Sequence, residues 1–371
     1  MTRTGTPPQP HALASPLDRI HREAGAKFTD FGGWRLPLRF GSELAEHHAV
    51  RRDAGLFDLS HMAQIDISGP GAGAGLDYAL MGAHAQMPTG RASYSMMLAE
   101  DGGVIDDLIV YRLGAERFFV IANAANRAEV VGQLTRRLAG FDATVTDLTL
   151  TRALIALQGP KSLQIVTAAG LPQAAELGYY RAAETVLDGV AVILARTGYT
   201  GENGFEVSCP REAAGRIWEV LAQAGRPFGV APCGLAARDT LRLEAGMPLY
   251  GHELSLDITP AEGGQGAFIR NKETDYVGKG GLAGRAVTKH LIGLTGEGRR
   301  AARAGYPVLI NGQVRGQVTS GALSPTLGHP IALALVEGPV PASGTPVQID
   351  IRGQLAPYQV TELPFYTKEK S

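Results

Sequence analysis

Ser93-Tyr94-Ser95-Met96-Met97-Leu98, Glu100-Asp101-Gly102-Gly103 and Val104-Ile105-Asp106-Asp107-Leu108-Ile109-Val110-Tyr111 read as strand, hairpin turn and strand. A turn around Gly114 leads to a third strand over 118–122. Residues 124–138 then have helical spacing, with Gly140 as their stop. Three strands followed by a helix predict an α+β fold with an antiparallel sheet.

Working outward, 42–53 reads as a helix opened by Ser42 and closed before Gly55. The middle of the chain repeats the mixture. Strands are predicted over 154–157, 190–196 and 205–207, and helices from Pro160, over 211–224 and over 234–245. Gly246 ends the last of these helices, with Pro248 behind it. Beyond about residue 285 the character changes to short apolar runs between Gly and Pro. Strands are expected over 291–294, 307–310, 313–319, 331–336 and 347–351, with no helix joining them. This tail predicts a small β-barrel or sandwich, and the boundary falls near 285–290.

The 371 residues are enough for two or three domains. Lys and Arg number 35 against 36 Asp and Glu, so no global field draws in nucleic acid or an anionic membrane. No apolar run approaches the roughly 18 residues of a spanning helix. Cys209 and Cys233 have no metal-ligand or CxxC spacing, which argues against a zinc ribbon, an iron–sulfur site or a disulfide scaffold. Residues 1–16 lack the features of a signal peptide and read as a frayed start, so a cytoplasmic location is expected.

Three segments could carry chemistry. Asp106 and Asp107 lie in an otherwise apolar strand and must point to opposite faces, so at least one carboxylate meets an apolar layer. A bland alternative puts both near an edge, accepting turn hydrogen bonds. The second segment, Arg196-Thr197-Gly198-Tyr199-Thr200-Gly201-Glu202-Asn203-Gly204-Phe205-Glu206, is neither a P-loop nor a dinucleotide fingerprint. A plain hairpin explains most of it. Glu206 beside an aromatic could instead recognise a flat heterocycle. In the third, 234–246, Arg238 and Arg242 share a helical face and Asp239 can pair with Arg242, which taken alone reads as a solvated, ion-paired helix. His47, His48, His61 and His252 have no HxxxH spacing and read as polar or capping residues; no metal is expected.

In this order, these segments resemble the glycine cleavage T-protein family, the tetrahydrofolate-dependent aminomethyltransferases. The resemblance runs from about Ser15 to Phe365. It rests on Phe31-Gly32-Gly33-Trp34, Glu46-His47-His48-Ala49-Val50-Arg51, Phe57-Asp58-Leu59-Ser60-His61-Met62 and the Asp-Asp strand. It continues through Gly198-Tyr199-Thr200-Gly201-Glu202, the 234–246 helix and Ser320-Gly321-Ala322-Leu323-Ser324-Pro325-Thr326-Leu327-Gly328. It implies a folate-binding region over 1–285, built of two interleaved α/β subdomains with antiparallel sheets, and a C-terminal β-barrel over 290–371. It also implies transfer of the methylene carbon from the aminomethyl-lipoyl arm of H protein to tetrahydrofolate. By the same resemblance Asp107 is the catalytic acid, and Tyr94, Tyr111, Asn123, Tyr199, Glu206 and Arg238 line the folate pocket. Asp106 faces the other layer, so its replacement should alter stability more than turnover.

The sequence departs from the family pattern in two places. Ala236 replaces a usual glycine, and Glu262-Gly263-Gly264-Gln265-Gly266-Ala267-Phe268 lacks a tryptophan often found there. The stretch after Phe365 matches loosely and assigns Tyr366 no role. Two relatives of the fold are alternatives: a tetrahydrofolate-dependent demethylase of a small methylamine, and a non-catalytic folate-binding protein of iron–sulfur assembly. The first usually belongs to a longer flavoprotein, and no flavin fingerprint is present. The second carries a Lys-Gly-Cys-like motif near Tyr276-Val277-Gly278-Lys279, where this chain has no cysteine.

Overall fold

A computed structural model describes residues 12–268 and 272–368. The predicted meander is the edge of a five-stranded antiparallel sheet: Ala92–Leu98, Val104–Gly114, Arg117–Ala122, Ala63–Ser68 and Thr144–Asp147, in spatial order. The helices Ala72–Ala79 and Arg127–Leu138 cover one face of it, burying Leu76, Val130 and Leu134 against Ile65, Leu108 and Val120. A second sheet runs Ala182–Leu187, Val190–Ala195, Gly204–Pro210, Arg152–Gln158, Ala54–Asp58 and Val230–Cys233, parallel only in its last pair. Helices Ser162–Ala168 and Ala214–Gly225 cover its outer face around Ile165, Ile217 and Trp218.

The uncovered faces of the two sheets meet. Tyr111, Phe119 and Ile121 of the first pack with Phe57, Leu154 and Ile193 of the second, and Ala237 and Leu241 from helix Leu235–Glu244 close the cluster. Strand Val104–Gly114 is therefore covered on both faces, which explains its apolar run and leaves neither adjacent acid at an open edge.

The tail forms a closed six-stranded barrel: Lys289–Gly296, Pro330–Glu337, Gln313–Leu323, Pro307–Ile310, Pro346–Asp350 and Leu355–Thr361. Its core holds Leu294, Val308, Ala334 and Ile349. An α+β fold with a C-terminal barrel is thus what the sequence predicted, although the last strand escaped notice.

Three local expectations are corrected. Of the supposed frayed start, residues 1–11 lie outside the described residues, but Leu13–Ala14 pairs in parallel with Trp34 and Arg35, and Ser15 donates to Asp58. The 234–246 helix is not a solvated one. Arg242 is 2% exposed and donates to Glu253 at 3.1 Å and to Ser320 of the barrel at 2.8 Å, besides Asp239 at 2.9 Å. Tyr366 has a structural place, its ring 4.0 Å from the Arg51 guanidinium carbon.

Arg51 belongs to a buried cross-unit cluster centred on Glu244. That carboxylate accepts from Arg51 at 2.8 Å, from the Thr326 main chain at 3.0 Å and from the Thr326 hydroxyl at 2.8 Å. Burial alone would raise its pKa, but His47, Ser324 and Arg51 prevail and hold it at about 2.

Candidate functional site

Alternation along Val104–Gly114 puts Asp107, Ile109 and Tyr111 on the face turned toward the second sheet, and Asp106, Leu108 and Val110 on the helix-covered face. Tyr94, on the neighbouring strand, shares the Asp107 face and donates its hydroxyl to the Asp107 carboxylate at 2.9 Å. Asn123 Nδ2 donates to the same carboxylate at 2.8 Å. Burial raises the Asp107 pKa above the usual carboxylate range, against the pull of Tyr94 and Asn123. Asp107 nevertheless stays partly open to solvent, as do Tyr94 and Asn123. An acid in this setting can exchange a proton with an amine bound beside it.

A second group forms where Tyr111 crosses to the other sheet. Its hydroxyl lies 3.2 Å from Thr197 Oγ1 and 3.4 Å from Glu206 Oε2, and Thr197 also donates to that oxygen. Glu206 Oε1 accepts nothing from the described residues, which leaves one carboxylate oxygen for a ligand. A third group stacks Arg238 on the Tyr199 ring, 4.8 Å from its centroid. The Arg238 guanidinium has no hydrogen-bond acceptor among the described residues, and desolvation lowers its pKa. The three groups feel one another's charge: Tyr199 senses both Asp107 and Arg238, and Arg238 senses Glu206. All the residues named from the sequence are therefore gathered between the two sheets and the Leu235–Glu244 helix.

The Gly-rich loop owes its composition to one side chain. A Cβ at Gly198 would lie 2.0 Å from Gln158 Oε1, and one at Gly204 would lie 2.2 Å from Gln158 Nε2. Gln158 passes between the two glycines, donating to Thr197 O at 3.1 Å and accepting from Thr200 at 2.9 Å. The connection from Ala195 to Gly204 is thus a long loop wrapped on an amide, not a tight hairpin, and it presents Tyr199 toward Arg238.

Sequence reasoning missed three neighbours. Tyr180 sits at φ +56°, a left-handed conformation costly for a non-glycine residue, and senses the Glu206 charge. The aromatic pair after Gly178 was its available signal. His61 is 1% exposed, and burial first, then Arg238, push its pKa down to about 3, so it is a neutral ring beside the cation. Phe268, in the stretch that lacks the tryptophan, packs edge-on against Tyr94 at 5.0 Å between centroids. His47 and His252 bond Thr240 and Thr319 O respectively. Among the described residues, no group of three or more His, Cys, Asp or Glu could hold a metal ion.

Residues 17–273 match the GCVT N-terminal domain, and 289–367 match the glycine cleavage T-protein C-terminal barrel domain. Aminomethyltransferase of Cutibacterium acnes is 50% identical over 365 residues, covering 95% of this chain and 98% of that protein. Aminomethyltransferase of Streptomyces avermitilis is 51% identical over 362 residues, covering 95% and 97%. The crystal structure of glycine cleavage system aminomethyltransferase T from Bartonella henselae superposes with a TM-score of 0.90 at 37% identity, covering 96% of this chain and 98% of that one. This chain belongs to the glycine cleavage T-protein family, the aminomethyltransferases.

Proposed function

We propose that this aminomethyltransferase of the glycine cleavage system binds tetrahydrofolate between its two sheets and takes the aminomethyl group from the lipoyl arm of H protein. Asp107 is the catalytic acid, and Tyr94, Tyr111, Asn123, Tyr199, Glu206 and Arg238 line the folate pocket. The region over 1–285 binds folate, and 290–371 is the barrel domain. The reaction belongs in the cytoplasm.

The observation that carries this reading is the convergence of an acid whose pKa is raised by its surroundings, a carboxylate oxygen without a partner and a guanidinium without an acceptor among the described residues. Glu206 Oε1 can accept from the amino group and ring N–H of a pterin, while Tyr199, Tyr111 and Tyr94 supply flat walls with polar tips. Burial raises the pKa of all three phenols, so they act as donors at neutral pH. Arg238 can bind a carboxylate of the folate glutamate.

In the reaction, two folate N–H bonds are replaced by two bonds to the incoming carbon, whose bonds to sulfur and to the amino nitrogen break. The two protons end on the dihydrolipoyl sulfur and on ammonia, so the equation balances without an oxidant. Asp107 takes a proton from the folate amine as the carbon–nitrogen bond forms and stabilises the cationic carbon beside it.

The test is formation of ammonia and 5,10-methylenetetrahydrofolate from aminomethyl-loaded H protein. Comparable turnover of a free methylamine without H protein would replace this reading by the demethylase one.

A further inference from the structure

Asp106 and Asp107 point to opposite faces of one strand, yet both reach the same side chain. Asn123 precedes the short turn Ala124–Asn126 that opens helix Arg127–Leu138. Its Nδ2 donates to Asp106 Oδ1 at 2.9 Å, to Asp107 Oδ1 at 2.8 Å and to Asp107 O at 3.1 Å. An amide has two protons for these three acceptors, so the bonds are shared. Asp106, at 0% exposure, also accepts the Asn123 main-chain N–H at 3.0 Å and Asn126 Nδ2 at 2.6 Å. A purely structural role at the helix start explains the last two contacts. It does not explain an amide divided between this acid and the one that faces the cavity.

We propose that Asp106 is a positioning residue for Asp107: it holds the Asn123 carboxamide in the orientation that donates to both carboxylates at once. The proposal rests on the reading of Asp107 as the cavity acid. The groups facing the pair are polar but not cationic. Tyr94 reaches Asp107 from the adjacent strand, Tyr199 senses it from the Gly-rich loop, and Tyr250 senses both acids from the segment after helix Leu235–Glu244. No Lys, Arg or His among the described residues forms an ion pair with either acid. Two neighbouring carboxylates without a counter-ion resist losing both protons, and a shared amide makes each sensitive to the other's charge.

A double-mutant cycle tests this on the full chain. Strand face alone predicts that replacing Asp106 alters stability more than turnover. The shared Asn123 amide revises this, and Asp106→Asn is expected to lower kcat by on the order of tenfold, with KM for tetrahydrofolate within about twofold. Asn123→Ala should lower kcat by a similar factor, and the double variant should be no slower than the slower single one. Asn126→Ala, which breaks only the helix-side contact, should lower the melting temperature while keeping kcat within about twofold. Losses that multiply in the double variant, or wild-type kcat in Asp106→Asn, would overturn the proposal.

Carboxyl-carbon titration of the wild-type protein needs no variant. Each acid should titrate in two steps, sensing its neighbour, and two independent single-step curves would also overturn the proposal. If Asp107→Asn keeps full turnover, the reading of the cavity acid fails instead, and the titration still reports on the shared amide.

Discussion

Replacing Glu206 by Gln keeps the side chain's size and removes its charge. Glu206 is 8% exposed, with Oε2 held by Thr197 and by Tyr111 at 3.4 Å, and Oε1 without a donor among the described residues. The amide oxygen of Gln can take over the Thr197 and Tyr111 bonds, which places its NH2 where Oε1 was. The ligand donors that met Oε1 then face a donor in place of an acceptor, and the side chain can shift to keep one of them. One charge-assisted hydrogen bond is lost, a cost of about 1.5–3 kcal/mol. Tetrahydrofolate affinity should fall by about 10- to 100-fold. Isothermal calorimetry on wild type and Glu206→Gln gives the ratio, and the melting temperature shows that the loop stays folded. Equal affinities with equal melting temperatures would take Glu206 out of the pocket and refute the argument from its unpartnered oxygen.

Asp107→Asn should bind tetrahydrofolate within a small factor of wild type while single-turnover transfer slows by about 100-fold or more; an unaltered rate would remove proton transfer from Asp107. Gly198→Ala places a methyl 2.0 Å from Gln158 Oε1, and that amide is pinned on both sides, so calorimetry should show a loss of about 1–3 kcal/mol. Glu244 has a depressed folded-state pKa of about 2, so its contribution is complete above the usual value near 4.5 and is lost as pH falls toward 2. Wild type should therefore lose about 3 kcal/mol more than Glu244→Gln across that window. Parallel pH-dependent melting curves for the two proteins would contradict the sign.

The sequence shows most clearly the elements whose period is local. The meander over 93–122 and the alternating tail could be recognised because strand, turn and strand follow one another within a few residues. Strands Ala54–Asp58 and Ala63–Ser68 carry little local signal because the first is buried throughout and the second nearly so, which removes the alternation that marks a half-exposed strand. Asp58 looks misplaced in such a run until Ser15 and His21, far away in sequence, are seen to hold it. The burial of Arg242 is likewise invisible locally: its partner Ser320 lies 78 positions away, on another unit. At the candidate site, the adjacent acids and the Gly-rich loop stood out as polar or flexible residues in apolar surroundings. The shared Asn123 amide and the neutral state of His61 left no such trace, because each depends on the spacing of segments that only tertiary packing brings together.

The Glu244 cluster has a consequence for the order in which the protein matures during synthesis. Glu244 sits on a helix that completes the first unit, but Ser324 and Thr326 come from the barrel, and the Arg51 beside it is capped by Tyr366. A ribosome exposes these partners about 80 to 120 residues after Glu244 itself, several seconds later at ordinary elongation rates. Until then Glu244 has Arg51 and His47 from the first unit beside it but lacks the donors of Ser324 and Thr326. The cavity wall formed by helix Leu235–Glu244 therefore sets last, after the loop that follows barrel strand Gln313–Leu323 and supplies Ser324 has been made.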